Sequence, residues 1–193
     1  MIDKSFIFLE RVGSRLEEKI WKSGIRDWDC FLTMEKVKGL SRHRKLYYDR
    51  KITDAKKALY NFDSGYFLGL LPQSEMWRLY DFFREDVVFV DIETSGFGRK
   101  EDYITVFGLY DGINTKIMLQ GINLDYGLLK KELERYKLIV TFNGASFDIP
   151  FAEKRHPGLF PKVPNFDVKH LAGKLGLKGG LKSIEKSLGI KRK

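Results

Sequence analysis

The stretch from Asp86 to Gly98 constrains the fold more than any other part of the chain. A run of β-branched and aromatic residues leads into Asp91 and Glu93, and a Thr-Ser-Gly turn follows. This composition predicts a buried strand that ends where the polar residues begin. Because side chains alternate along a strand, Asp91 and Glu93 share one face, with their Cα atoms roughly 6.5 Å apart.

A second stretch has the same layout and suggests a shared site. The apolar run Leu138 to Phe142 predicts another strand, and the polar, glycine-containing turn after it delivers Asp148 just past the strand's end. If the two strands are neighbours, about 4.8 Å apart, Asp148 faces Asp91 and Glu93 across a gap that fits two divalent ions about 3.5 to 4 Å apart. The alternative is a solvated strand end, because carboxylates in water need no bound cation.

These two motifs resemble, in this order, the first two exonuclease motifs of the DEDD superfamily. The first is Asp91-Ile92-Glu93-Thr94; the second starts at Asn143, 50 residues after Glu93, and ends in Phe147-Asp148. The stretch Thr141 to Phe151 is similar to the exonuclease domain of family B DNA polymerases and to YprB-like predicted exonucleases. The likeness covers residues 86–190.

The resemblance implies an α/β fold, a ribonuclease-H-like mixed β-sheet flanked by helices. Periodicity predicts the same order independently, strand-strand-strand-helix-strand-helix from residue 87 onward. No Ser/Gly-rich linker precedes the first strand, so we expect residues 1–84 to form an N-terminal helical subdomain packed on an exonuclease domain of residues 85–193. The predicted N-terminal helices are Ser5 to Arg11, Ser14 to Lys22, Asp27 to Val37, a long helix after Ser41, and Gln73 to Phe83.

The chemistry that the resemblance implies is two-metal phosphodiester hydrolysis, proceeding 3′ to 5′. Asp91 would bridge two Mg²⁺ or Mn²⁺ ions, Glu93 would hold the ion that activates water, and Asp148 would support the other ion. These three acids are therefore the predicted catalytic residues and also the predicted metal ligands.

The predicted substrate contacts flank these acids. Thr94 and the Ser95-Gly96 amides would hold the terminal nucleotide, and Phe97 or Phe147 would pack on its base. Asn143 would anchor the sugar or the turn itself. Packing within the protein is the alternative for both phenylalanines. The predicted substrate-binding residues are Thr94, Ser95, Gly96, Phe97, Asn143 and Phe147.

One part of the family pattern is missing. The third motif, a Tyr or His followed a turn later by Asp on a late helix, has no match from His170 to Lys193. We therefore expect either a chain truncated before that motif or a degenerate enzyme that hydrolyses slowly. Asp167 is a further acid in this region, and its place before a helical stretch favours a helix N-cap over a metal ligand.

The distribution of charge suits a polyanionic partner. The formal net charge is +9, and residues 150–193 carry 11 basic and three acidic side chains. An acidic centre beside a basic flank is what a metal-dependent nuclease needs, because carboxylates hold the ions and lysines hold phosphates. The other explanation for the net positive charge is that it keeps the protein soluble. The predicted partner is single-stranded DNA or RNA, with DNA favoured only by the resemblance. The alternative function is a non-catalytic nucleic-acid-binding module of the same fold.

Other features exclude several classes of protein. No segment approaches roughly 18 consecutive apolar residues, and the chain does not start with a signal-peptide pattern, so a soluble, cytoplasmic protein without a membrane partner is expected. Cys30 is the only cysteine, which excludes a disulfide framework and a thiolate metal site.

Overall fold

Helices make up the first part of the structure, a computed structural model that describes residues 1–191. Side-chain caps start two of the α-helices: the Asp27 carboxylate accepts a hydrogen bond from the Cys30 amide at 2.8 Å, and Ser41 Oγ accepts one from the Arg44 amide at 3.3 Å. None of the helices in the described residues is long and apolar enough to cross a membrane. The α-helices are α1 Ser14–Lys22, α2 Trp28–Thr33, α3 Arg42–Tyr60 and α4 Tyr80–Phe83, and the 3₁₀ helices are Ile2–Lys4, Ser64–Phe67, Gln73–Leu79 and Arg84–Asp86.

A five-stranded mixed sheet follows the helices. Its strands are β1 Val87–Thr94, β2 Ile104–Tyr110, β3 Thr115–Leu119, β4 Leu138–Thr141 and β5 Asn165–Asp167, in the spatial order β3-β2-β1-β4-β5. The first three strands form an antiparallel meander, and β4 and β5 continue parallel to β1. The remaining helices are α5 Tyr126–Leu133, α6 Asp148–Arg155, α7 Val168–Lys174 and α8 Leu181–Ser187. The predicted mixed α/β fold is confirmed.

Successive side chains of β1 point alternately into two hydrophobic cores, one on each face of the sheet. Val87 points into a core that also contains the N-terminal helices, whereas Val88, Val90 and Ile92 point into a core built with α5 and α6. Helices therefore cover both faces of the sheet around β4, which explains why every residue of β4 is buried. The first core mixes residues from before and after residue 84, and the division into units 1–84 and 85–193 stays a prediction.

Three short segments differ from the sequence predictions. Residues 5–11 form turns instead of a helix. Arg11 has a left-handed φ of 63°, and a right-handed helix cannot continue through a residue with this backbone conformation. The predicted helix Asp27 to Val37 ends at Thr33, because the backbone of Met34 is extended. The strand β5 has three residues, too few for a period to be detected from sequence.

A buried network of ion pairs joins the N-terminal helices to α7. Glu17 is 1% exposed, and its carboxylate pairs with Arg78 at 2.9 Å. Arg78 also contacts Glu75 at 2.7 Å, and Glu75 pairs with Lys174 of α7. Burial works against ionisation of Glu75, but hydrogen bonds from these two cations bring its pKa below the usual value. Removing one member would leave a buried charge without its partner.

We expect Glu17→Ala to lower the free energy of unfolding by about 3 kcal/mol, because it removes one of the two carboxylates that pair with Arg78 and also the acceptor for the Phe6 and Ile7 amides. Urea denaturation measures this change. The matched control is Glu18→Ala, since within residues 1–191 Glu18 pairs only with Lys22, on the surface of the same helix, and its loss should leave the midpoint unchanged. Equal effects of the two substitutions would contradict the role given to the network.

Candidate active site

Two neighbouring carboxylates project from the end of β1 onto one open face of the sheet. Asp91 and Glu93 are exposed, while Ile92 between them is buried on the opposite face. On β2, Asp91 pairs with Gly108 and Glu93 with Val106. Because Gly108 has no side chain, nothing on β2 covers Asp91 from that side.

Among residues 1–191, the two carboxylates have no protein partner. In the described part of the chain, neither Asp91 nor Glu93 accepts a hydrogen bond from a side chain or forms an ion pair. Desolvation at the sheet surface and the adjacent charge of Glu93 raise the pKa of Asp91 above its usual value. The pair therefore carries repulsion that a bound cation would relieve.

Asp148 lies beside this pair but is held differently. It is the first residue of α6 and is 6% exposed, and its Oδ1 accepts a hydrogen bond from the Ile92 amide at 3.1 Å. The parallel pairing of β1 with β4 ends at Phe89, so Asp148 takes the place of a strand partner for the Ile92 amide. Burial, together with the negative charges of Asp91 and Asp167, raises the pKa of Asp148 from 3.8 to about 6 against the opposing effect of that hydrogen bond.

A second buried carboxylate, Asp167, organises the turn between β4 and α6. It is 2% exposed; its Oδ1 accepts hydrogen bonds from the amides of Asn143 at 2.8 Å and Lys169 at 3.0 Å, and its Oδ2 accepts one from the Ala145 amide at 3.0 Å. Asp167 thus caps α7, as its place in the sequence favours, and ties the turn to the end of β5.

The turn itself uses Asn143 as a structural anchor. Asn143 has a left-handed φ of 66°, and its side-chain Oδ1 accepts a hydrogen bond from Lys169 Nζ at 2.8 Å. The next residue must be glycine, because a Cβ on Gly144 would lie 2.5 Å from the Cβ of Thr141. The Asn143 side chain thus anchors the turn, and its predicted contact with a sugar stays a prediction. Lys169 was not singled out from the sequence, although it follows Asp167 by two residues.

Phe97 is presented to solvent by the loop between β1 and β2. Its side chain is 98% exposed. The polar residues before it are engaged within the loop: Thr94 Oγ1 donates to the Gly96 carbonyl at 2.7 Å, and Ser95 Oγ accepts from the Tyr103 amide at 3.0 Å. Gly96 packs closely on the Asp102 carboxylate, and a Cβ added to Gly96 would lie 2.4 Å from Asp102 Oδ1.

Phe147, the other predicted base contact, is less available. It is half-buried, and its ring packs against the ring of Phe151 with centroids 5.4 Å apart. Phe147 therefore packs within the protein, whereas Phe97 has no ring contact in the described residues, and the base contact of either residue stays a prediction.

A groove of about 540 Å³ runs along the sheet face that carries the acids. Asp91 and Glu93 are among its lining residues, and apolar side chains make up most of the remaining surface. These side chains come from four strands, the turn after β4 and two helices: Phe89, Val106, Leu109, Tyr110, Ile117, Val140, Phe142, Val168 and Leu181. The acids thus face a concave surface large enough for a nucleotide-sized ligand.

The three predicted metal ligands are near one another without forming a ready-made cage. Among residues 1–191, no three His, Cys, Asp or Glu side chains are grouped closely enough to hold a metal ion. Asp148 Oδ1 accepts the hydrogen bond from the Ile92 amide. The structure therefore places Asp91 and Glu93 on one face at the end of β1 and Asp148 next to the backbone amide between them.

Comparison with known proteins gives one family. Residues 88–193 match the model of the RNase_H superfamily. The crystal structure of the Aedes aegypti Nibbler EXO domain is similar over 53% of this chain and 52% of that chain, with 10% sequence identity and a TM-score of 0.39. A likeness of this size carries no information about activity, and the match spans about half the length of that chain. No curated protein matches the chain. The predicted ribonuclease-H-like fold is confirmed by the family match, while the DEDD and YprB-like subtypes stay predictions.

We expect Asp148→Asn to stabilise the metal-free protein at neutral pH. The raised pKa means that ionising Asp148 destabilises the folded state progressively as the pH rises from about 4 to about 6, and the penalty remains above that range. Asparagine keeps the acceptor for the Ile92 amide and never ionises. The gain should be small at pH 4 and about 2 kcal/mol at pH 7.5, read from urea denaturation in EDTA. The control Asp81→Asn replaces an exposed acid on α4 and should change the free energy of unfolding little at either pH. An effect of Asp148→Asn that does not depend on pH would contradict the raised pKa of Asp148.

Proposed function

Since the chain belongs to the RNase H superfamily, we propose that it is a metal-dependent exonuclease acting on single-stranded nucleic acid. Membership of this superfamily supports nuclease activity in general, with a nucleic acid as substrate and divalent metal ions as the usual cofactors. The exonucleolytic mode, the 3′ to 5′ direction and the preference for DNA rest on the resemblance of the motifs at Asp91 and Asp148 to those of DEDD exonucleases.

The observation that carries the proposal is the uncompensated pair Asp91 and Glu93. The chain has 35 lysines and arginines, yet in the described residues none forms an ion pair with either acid. A folded protein with so many cations leaves two adjacent carboxylates unpaired at a stability cost, and such arrangements mark sites that bind a cation or perform chemistry.

The residues present fit a hard divalent cation. Carboxylate oxygens are the ligands that Mg²⁺ and Mn²⁺ prefer, and Mg²⁺ is commonly bound through one or two carboxylates plus substrate phosphates. Asp91 and Glu93 would hold the ion, and Asp148 would join them or support a second ion. When bound, such ions supply Lewis-acid stabilisation of the charge that develops on the phosphoryl oxygens.

The surroundings of the acids suit a nucleotide chain. We assign the contact with the terminal base to Phe97, because a free aromatic face stacks on any base. The same loop carries Arg99 and Lys100, both exposed, which would approach the phosphates. Backbone amides near Ser95 and Gly96 and the side chain of Thr94 would hold the terminal nucleotide, while Asn143 and Phe147 would act by shaping the turn beneath it.

A second candidate is a nucleic-acid-binding module without turnover. It is favoured by the position of Asp148, because its carboxylate is turned to the Ile92 amide and its pKa is raised to about 6. A module of this kind would bind oligonucleotides through the same loop and basic flank but leave them intact.

One assay separates the two candidates. Single-stranded DNA and RNA oligonucleotides, labelled at either end, are incubated with the protein in Mg²⁺, in Mn²⁺ or in EDTA, and the products are resolved as ladders. Metal-dependent shortening from the 3′ end supports the exonuclease. Binding without shortening in any metal supports the module.

We expect Asp91→Ala and Glu93→Ala each to lower nuclease activity by roughly a thousandfold, since each removes an anchor for a cation worth several kcal/mol of transition-state stabilisation. Both side chains are exposed, so the thermal midpoint should not fall. The matched control is Glu101→Ala, an exposed acid in the adjacent loop, which should keep full activity. Wild-type activity in both variants would remove these residues from the active site.

A further inference from the structure

Arg155 ties the loop that carries Phe97 to helix α6. Arg155 is the last residue of α6, and its guanidinium donates to the carbonyl of Asp102 through Nε and to the carbonyl of Arg99 through Nη2 at 2.7 Å. Its Nη1 donates to the carbonyl of Phe151, one turn back in α6, at 3.0 Å. One planar side chain thus holds two points of the loop and one point of the helix.

The guanidinium is itself fixed in place by packing. It lies 3.5 Å from the centroid of the Phe151 ring, and Phe151 is buried in the core under the sheet. Phe151 also packs against Phe147 on the preceding turn, so residues 147, 151 and 155 form one stripe along the helix. The loop is therefore fastened to a rigid element.

Asp102 stabilises the same loop by hydrogen bonds within it. Its Oδ2 accepts hydrogen bonds from the amides of Gly98 at 2.8 Å and Arg99 at 2.7 Å. The hydrogen bond from the Gly98 amide is the main reason that the pKa of Asp102 lies below its usual value. These bonds clamp the backbone directly after Phe97, at the point where Arg155 also attaches.

Helix α6 contacts both parts of the candidate site. Its first residue, Asp148, accepts a hydrogen bond from the Ile92 amide, which lies between the two exposed acids. Its last residue, Arg155, donates to the loop that follows these acids. The eight residues of α6 span roughly 10 Å, so a single helix is bonded both to the backbone between the acids and to the loop that carries Phe97.

We propose that Arg155 is a positioning residue that holds Phe97 at a fixed place relative to Asp91 and Glu93, so that the terminal base of a bound strand is stacked without first ordering the loop. The inference rests on the proposed function, because it needs a nucleic-acid substrate. A preformed contact spares the entropy of fixing the loop on binding, so its loss should appear in substrate affinity. Lysine cannot replace Arg155, since an ammonium group does not reach three carbonyls in one plane.

The test is a double-mutant cycle with Phe97→Ala and Arg155→Ala in degradation of a labelled single-stranded oligonucleotide. We expect each single variant to raise KM about tenfold, the size of one lost stacking contact, with kcat within about threefold. Because Arg155 acts through Phe97, the double variant should be no worse than Phe97→Ala. Arg155→Lys should behave like Arg155→Ala. The control Arg84→Ala removes an exposed arginine that pairs with Glu85 on the surface, and it should match the wild type.

Amide hydrogen exchange gives a second measurement that does not depend on activity. Exchange of the Gly98 and Arg99 amides should rise in Arg155→Ala and stay unchanged in Phe97→Ala, while the Asn143 and Ala145 amides keep their protection in both. Unchanged exchange in the loop, or independent effects of the two substitutions on KM, overturns the inference while leaving the nuclease proposal intact. A wild type that neither binds nor degrades any oligonucleotide overturns both.

Discussion

The central strand β1 runs farther than the parallel strand beside it, and the candidate site depends on this overhang. Pairing with β4 ends at Phe89, whereas pairing with β2 continues to Thr94. The residues after Phe89 therefore have a strand neighbour on one side only. This leaves room on the other side for Asp148 to approach the backbone and for Asp91 and Glu93 to face open solvent. A β4 strand three residues longer would fill this space with main chain.

Two buried carboxylates fill the space that the overhang opens, and they do so in different ways. Asp167 accepts three backbone amides and so serves the fold, by fixing the turn after β4. Asp148 accepts one amide from β1 and stands next to the charge of Asp91, which leaves it with a raised pKa of about 6. An acid that is buried, poorly satisfied and close to like charge is a stability burden that an approaching cation would relieve. Asp167 therefore stabilises the fold, whereas Asp148 belongs to the candidate site.

The elements that carry the acids could be predicted from sequence because the relevant signals are local. The period of two along β1 places Asp91 and Glu93 on one face, and the turn after β4 delivers Asp148 to the neighbouring strand end. Contacts between distant residues could not be predicted in this way. No pattern near Arg155 indicates that its guanidinium holds carbonyls more than 50 residues earlier. For the same reason, residues 5–11 have a helical composition but fold around Glu17, a partner outside the segment.

The most direct test of this account is whether Asp91 and Glu93 form a cation site on their own. Calorimetric titration of Mn²⁺ into the wild type, Asp91→Asn and Asp148→Asn answers it without substrate. We predict one site in the wild type that is at least about tenfold tighter than any second site, a gap of roughly 1.4 kcal/mol, because only two carboxylates are free to coordinate. Asp91→Asn should abolish the tight site, while Asp148→Asn should retain it. Two equal tight sites in the wild type, or tight binding that survives Asp91→Asn, would contradict the account.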